Sequence, residues 1–180
     1  KGDDASAAGR PLRGVCWPAL CQFQGLLAVR CAVEDEFTTL IGANMNIDKF
    51  KHQHVDILGN IAALRRLAQA GVAHNATEIA RLIVSMSSTI KLHLAVEDQA
   101  LYPALQRGHN PELARMGQQY QRDMGPIAQA YEAFARRWNR PESVRRDEQG
   151  FRDDANRVLR MVHERMQREN RDFYPRIEAA

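Results

Sequence analysis

From residue 48 onward, apolar side chains recur every three or four positions, the period of an α-helix with one buried face. A first helix is expected over 48–70, with Phe50, His54, Ile57, Ile61, Leu64 and Leu67 or Ala68 on the inward stripe. Gly71 closes it, as a helix C-terminal glycine should. A second helix should start at Asn75 as N-cap and run to 107 through Ile79, Leu82, Ile83, Met86, Ile90, His93, Glu97, Leu101 and Leu105. Gly108 and Asn110-Pro111 end it. The third covers 111–138, with Leu113, Met116, Tyr120, Met124, Ile127, Tyr131, Phe134 and Trp138 inward. A bend is expected at Gly125-Pro126, because proline has no backbone donor. The charged stretch 139–150 reads as a connection. The fourth helix spans 151–177, with Phe151, Ala155, Val158, Val162, Met166, Glu169 and Phe173 inward. Four long amphipathic helices on short loops specify an all-α fold, an antiparallel up-down-up-down four-helix bundle.

Residues 1–44 are of another character. A small, polar opening gives way to VCWPALCQFQGLLAVRCAV, an apolar stretch broken by Pro18, Gln22, Gln24 and Arg30. It makes a poor secretory signal, since the apolar run is interrupted and no small-residue cleavage site follows. The expected organisation is an N-terminal extension or leader over 1–44 and a helical domain over 45–180, with Met45 as the natural start.

Composition narrows the class without naming a chemistry. Hydrophobic residues make up 44% and charged residues 26% of the 180, which excludes collagen-like and wholly disordered chains. The net charge of +3 is spread along the chain with no Lys/Arg block, so no nucleic-acid partner is expected. No run of 18 apolar residues occurs, so neither a transmembrane helix nor a membrane partner is expected. Cys16, Cys21 and Cys31 form neither an even set nor a Cys-x-x-Cys pair, which fits a reducing, cytoplasmic setting.

The chemistry lies in the polar residues that interrupt the buried stripe: His54, His93, Glu97 and Glu169. His93 and Glu97 are four apart and stand on one helix face. At 1.5 Å per residue, His54 lies about 9 Å inside its helix, Glu97 about 15 Å and Glu169 about 12 Å from their helix ends. The antiparallel topology brings those levels together, opposite Tyr120 to Met124 of the third helix. A carboxylate buried alone costs several kcal/mol or takes up a proton, so the group needs a partner. Imidazole with carboxylate suits iron, manganese or zinc. An internal echo ties the second helix to the fourth: residues 97–103 and 169–175 both read E-[D/N]-x-x-[L/F]-Y-P.

On these residues the chain resembles the hemerythrin-like (HHE cation-binding) family over 48–177, most specifically in His93-Leu-Ala-Val-Glu97-Asp98-Gln-Ala-Leu-Tyr102-Pro103. The resemblance implies a four-helix bundle with a non-haem di-iron centre. Its ligands would be one His from the first helix, His-x-x-x-Glu from the second, His from the third and His-x-x-x-Glu from the fourth. His54, His93, Glu97 and Glu169 match it. The third helix offers no histidine, and Arg165 stands where the fourth-helix histidine belongs. His163 is two positions away, about 200° around the helix. Arg165 would repel a second metal and pair with Glu169 or Glu97. The expected site is therefore one metal on His54, His93, Glu97 and Glu169, or none.

Other candidates have plainer readings. His52, His74 and His109 read as solvated, and His163 as a flank residue. Met86, Met116, Met124 and Met166 read as core filler. Arg136, Arg137, Arg140, Arg145 and Arg146 read as a solvated loop. Tyr120 reads as a core tyrosine, with ferric ligation as the alternative. The functional expectation is a non-haem iron module, mononuclear or di-iron, that binds or senses oxygen, nitric oxide or peroxide. The alternative is a metal-free bundle kept as a regulatory or protein-interaction module, with a protein partner or homodimer. Catalysis ranks last, since no substrate pocket is legible.

Overall fold

A computed structural model describes residues 47–180. The 1–44 extension, Met45 and the three cysteines lie outside the described residues. The described chain is helical throughout, with no strand among the described residues. In order it comprises α1 (Ile47–Gln69), α2 (Ala76–Val96), a π-helical segment (Glu97–Leu101), α3 (Tyr102–Arg107), α4 (Pro111–Trp138), α5 (Pro141–Arg146), α6 (Glu148–Arg168), a second π-helical segment (Glu169–Phe173) and α7 (Tyr174–Glu178). The α1 helix packs on α2, α2 on α4, α4 on α6 and α6 on α1, which closes a helical bundle around one core.

The ends follow from local chemistry. Gly71 takes φ of 121°, a conformation open to glycine, and turns the chain out of α1. Asn75 occupies the position before α2 but does not cap it. Its side-chain amide instead donates to the Leu67 and Gly71 carbonyls left over at the end of α1, at 3.1 and 2.9 Å. Asn110 does cap α4, accepting from the Glu112 and Leu113 amides at 3.1 and 3.2 Å, with Pro111 at the first helical position. That helix carries Pro126 in its interior.

Two boundaries differ from expectation. The 139–150 connection contains α5, whose Val144 is fully buried. The α6 helix begins at Glu148 rather than at 151, because Asp147 caps it by accepting from the Gly150 amide at 2.9 Å. Gly150 is thus a first-turn residue and not a break. A side chain there would collide with the Asp147 carboxylate.

The expected stripes are buried, with Leu67, Ala68, Leu82, Met116, Tyr120 and Ala155 only half-buried. By length and composition Ala76–Arg107 would also suit a membrane span, although it has no unbroken run of apolar residues. Its Ile79, Ile83, Met86 and Ile90 are buried in the bundle core. At one end of the core, Phe134 and Trp138 meet Phe151. The buried indole N–H of Trp138 donates to Asp154 Oδ2 at 3.1 Å, which also accepts from Arg137 at 3.0 Å. Asp154→Ala leaves that N–H without a partner and is expected to cost about 1–3 kcal/mol in urea unfolding. A loss below about 0.5 kcal/mol would show that the bond is dispensable.

Candidate metal centre

At the other end, Phe50, Leu101, Tyr102, Leu105, Leu113, Phe173 and Tyr174 form an apolar cluster. A polar zone lies one helical turn inward from it. In each contributing helix the polar residue has apolar stripe neighbours on both sides: Phe50 and Ile57 around His54, Ile90 and Leu101 around His93 and Glu97, Val162 and Phe173 around Arg165 and Glu169. His54, His93 and Arg165 are 0% exposed, and Glu97 and Glu169 are 1% exposed. These side chains are closed to bulk solvent, so their polar atoms depend on partners inside the bundle.

The hydrogen bonds orient both rings. His54 Nδ1 lies 2.7 Å from Asn170 Oδ1, and His93 Nδ1 lies 3.0 Å from Gln53 Oε1. With both amide oxygens turned to the rings, each Nδ1 must be the donor, since a carbonyl oxygen only accepts. In that tautomer the other ring nitrogen, Nε2, carries a lone pair directed into the zone. The two Nε2 atoms face one another at 3.1 Å. Glu169 Oε2 stands 3.3 Å from His54 Nε2, buried and without a hydrogen-bond partner. Glu97 Oε1 is 3.7 Å from His93 Nε2. The ligand atoms of His54, His93 and Glu169 all lie within 4.8 Å of one another.

Such a constellation could hold a cation, and the imidazole–carboxylate donor set fits a transition metal. Burial is the main cause holding His93 down to about 3, with His54 next. Burial also raises the Glu97 carboxyl well above its usual range, with the Glu169 charge adding to it. Glu169 moves the other way: burial pushes up, but the His54 contact and the Arg165 guanidinium outweigh it.

Arg165 fills the space beside Glu169. Its Nε donates to Glu169 Oε1 at 2.6 Å, with Nη2 2.5 Å from the same oxygen. Nη2 also donates to the Tyr102 hydroxyl at 3.2 Å and Nη1 to the Tyr120 carbonyl at 2.8 Å, with the Tyr120 ring under the guanidinium. Arg165 thus saturates Oε1 and leaves Oε2 for the zone between the imidazoles.

The structure brings His54, His93 and Glu169 into one group, while Glu97 lies beside it with Oε1 3.7 Å from His93 Nε2. His163 is exposed on the groove between α1 and α6, and His52, His74 and His109 are exposed. Tyr120 offers its backbone carbonyl to Arg165 and stacks its ring on Phe173. Four participants were not singled out from sequence: Gln53, Asn170, Tyr102 and Tyr174. The Tyr102 hydroxyl donates to Glu97 Oε2 at 3.2 Å, and the Tyr174 hydroxyl donates to Glu97 Oε1 at 3.1 Å. The repeated E-[D/N]-x-x-[L/F]-Y-P motif was their signal, because both copies form a π-turn. In each, the tyrosine amide donates to the glutamate carbonyl five residues back.

The family model for the hemerythrin HHE cation-binding domain matches residues 45–177. The chain belongs to that family. Comparison with curated proteins and with solved structures gave no match. Membership in the hemerythrin family implies metal binding, usually of iron, and the His54, His93 and Glu169 group is where this hemerythrin domain can provide it.

Proposed function

We propose that this hemerythrin domain is an antiparallel four-helix module that binds one non-haem iron and responds to oxygen, nitric oxide or peroxide. One observation carries the reading. Two imidazole lone pairs and an unpartnered carboxylate oxygen converge in a buried chamber, while a guanidinium occupies the neighbouring space that a second cation would need. His54, His93 and Glu169 would hold the ion, with Glu97 beside them. A bound iron would supply open coordination positions and accessible redox states for a small ligand.

The chain's own residues do the rest. Asn170 and Gln53 orient both rings. Arg165 anchors Glu169 through its other oxygen. Tyr102 and Tyr174 hold Glu97 from both sides, and Phe50 and Phe173 close the apolar end. A domain spanning 45–180 is supported by the extent of the family match. A cytoplasmic setting rests on cysteine usage alone.

The Arg165–Glu169 pair also favours the second reading, a metal-free regulatory bundle, because it neutralises Glu169 without any ion. Metal analysis separates the two. About one iron per chain is expected in the wild type. Arg165→His, which exchanges the fixed charge for a ligand, is expected to raise iron content towards two per chain. A wild-type protein that takes up no metal would favour the second reading. Tight binding of two irons by the wild type would refute the role given to Arg165.

A further inference from the structure

The Tyr174 hydroxyl has an environment unlike that of any other tyrosine in the described chain. It stands 3.3 Å from His54 Nε2, as well as 3.1 Å from Glu97 Oε1. We propose that Tyr174 is a further donor to the ion held by His54, His93 and Glu169, so that ferric iron in this site carries a phenolate. This rests on the reading that the chamber binds iron.

Spacing is the first support. Two donors bonded to one ion at about 2.1 Å and at right angles stand about 3 Å apart. His54 and His93 meet at 3.1 Å, His54 and Glu169 at 3.3 Å, and the Tyr174 oxygen repeats that separation from His54. From His54, its separation matches those within the donor set.

Rigidity is the second. The Tyr174 ring is fully buried and stacks on His54 at a centroid distance of 5.3 Å and 26° between planes. Phe50 and Phe173 hold its other sides at 6.0 and 5.8 Å. The hydroxyl is therefore placed without any rotamer change.

The third support is the π-turn. On an unbroken α-helix a residue five positions on lies about 140° around the axis, which would turn Tyr174 away from the Glu169 face. The wider turn over Glu169–Phe173 brings both to the chamber. Tyr102 sits in the equivalent turn, but its hydroxyl accepts from Arg165 and donates to Glu97. It belongs to the Arg165 side of the chamber.

Charge gives the fourth. Two neutral imidazoles and one carboxylate leave a ferric ion strongly cationic beside Arg165. A phenolate lowers that charge. On coordination the phenol O–H bond is exchanged for an O–iron bond, and the proton passes to the Glu97 carboxylate that already accepts from this hydroxyl.

The experiment loads metal-free protein with one equivalent of ferric citrate and records visible absorption, resonance Raman spectra and iron content. The wild type is expected to bind iron with a visible phenolate charge-transfer band and enhanced tyrosinate ring vibrations. In Tyr174→Phe the band should be lost, with ferric affinity lower on the order of 10- to 100-fold. Tyr102→Phe should keep the band. Iron bound by the wild type without a phenolate signature would overturn the proposal while leaving the iron reading intact. A Tyr174→Phe protein that keeps the full band would do the same. No iron uptake by the wild type would overturn both. If Tyr174→Phe does not fold, a band kept in both Tyr102→Phe and Tyr120→Phe supports Tyr174, and a band lost in either one overturns the assignment.

Discussion

Replacing Arg165 with leucine is expected to destabilise the metal-free domain by about 3–5 kcal/mol. The guanidinium is fully buried and serves three partners: Glu169 Oε1, the Tyr102 hydroxyl and the Tyr120 carbonyl. Leucine fills much of the volume but donates nothing. Glu169 then keeps a charge in a chamber that already leaves its Oε2 unpartnered, or takes up a proton to shed it. The pair as a whole need not be strongly stabilising, because burying two ions costs nearly what their attraction returns. The double variant Arg165→Leu with Glu169→Leu should therefore recover most of the loss. Urea unfolding of both variants in chelator, compared through a double-mutant cycle, measures this. A single-variant loss under about 1 kcal/mol would mean that Glu169 is not held as a buried ion. A double variant no better than the single would mean that the arginine acts through packing.

The bundle was legible because its helices obey one period. Phe50, Ile57, Ile61 and Leu64 fall where a 3.6-residue repeat places them, and so do Ile79, Ile83, Met86 and Ile90. His54, His93, Glu97 and Glu169 stood out against the same repeat, since a polar residue on a buried stripe requires an explanation. Tyr102 and Tyr174 were hidden for the reason the stripes were visible. The repeat assumes an α-helical turn, whereas both prolines follow a wider one. Each motif therefore changes face partway, and only the duplication of the motif betrays it. Gln53 was hidden differently. It bonds His93 across the packed helices, so its role depends on their register and not on the pattern of either helix alone. Asn75 had the residue type of a cap, but the neighbouring helix end offered carbonyls that its amide could reach. The short α5 carries one buried apolar side chain, Val144, too few for a periodic signal.

Acid is expected to weaken the metal-free domain through His93. In the unfolded chain an imidazole takes up its proton near 6.5, whereas in the fold His93 resists until about 3, because burial and then His54 oppose its charge. A depressed folded value means that the unfolded state binds more protons throughout that window. The contribution of His93 is complete above 6.5 and is lost as pH falls towards 3, by about 2–3 kcal/mol between pH 6.5 and 4.5. The groups facing the ring act in both directions. Glu169, whose value is lowered, also favours the fold less as pH falls, but only around and below the ordinary carboxylate range. Glu97, whose value is raised, favours the fold more as pH falls. Arg165 keeps its charge throughout, its value raised by Glu169 in spite of burial. The informative quantity is therefore the difference between wild type and His93→Gln, which share the Glu97 and Glu169 trends but not the imidazole. Urea unfolding in chelator at pH 6.5 and pH 4.5 should show the wild type losing about 2–3 kcal/mol more than the variant. Parallel losses in the two proteins would mean that His93 accepts a proton in the folded chamber. The facing nitrogens would then share that proton without any metal between them.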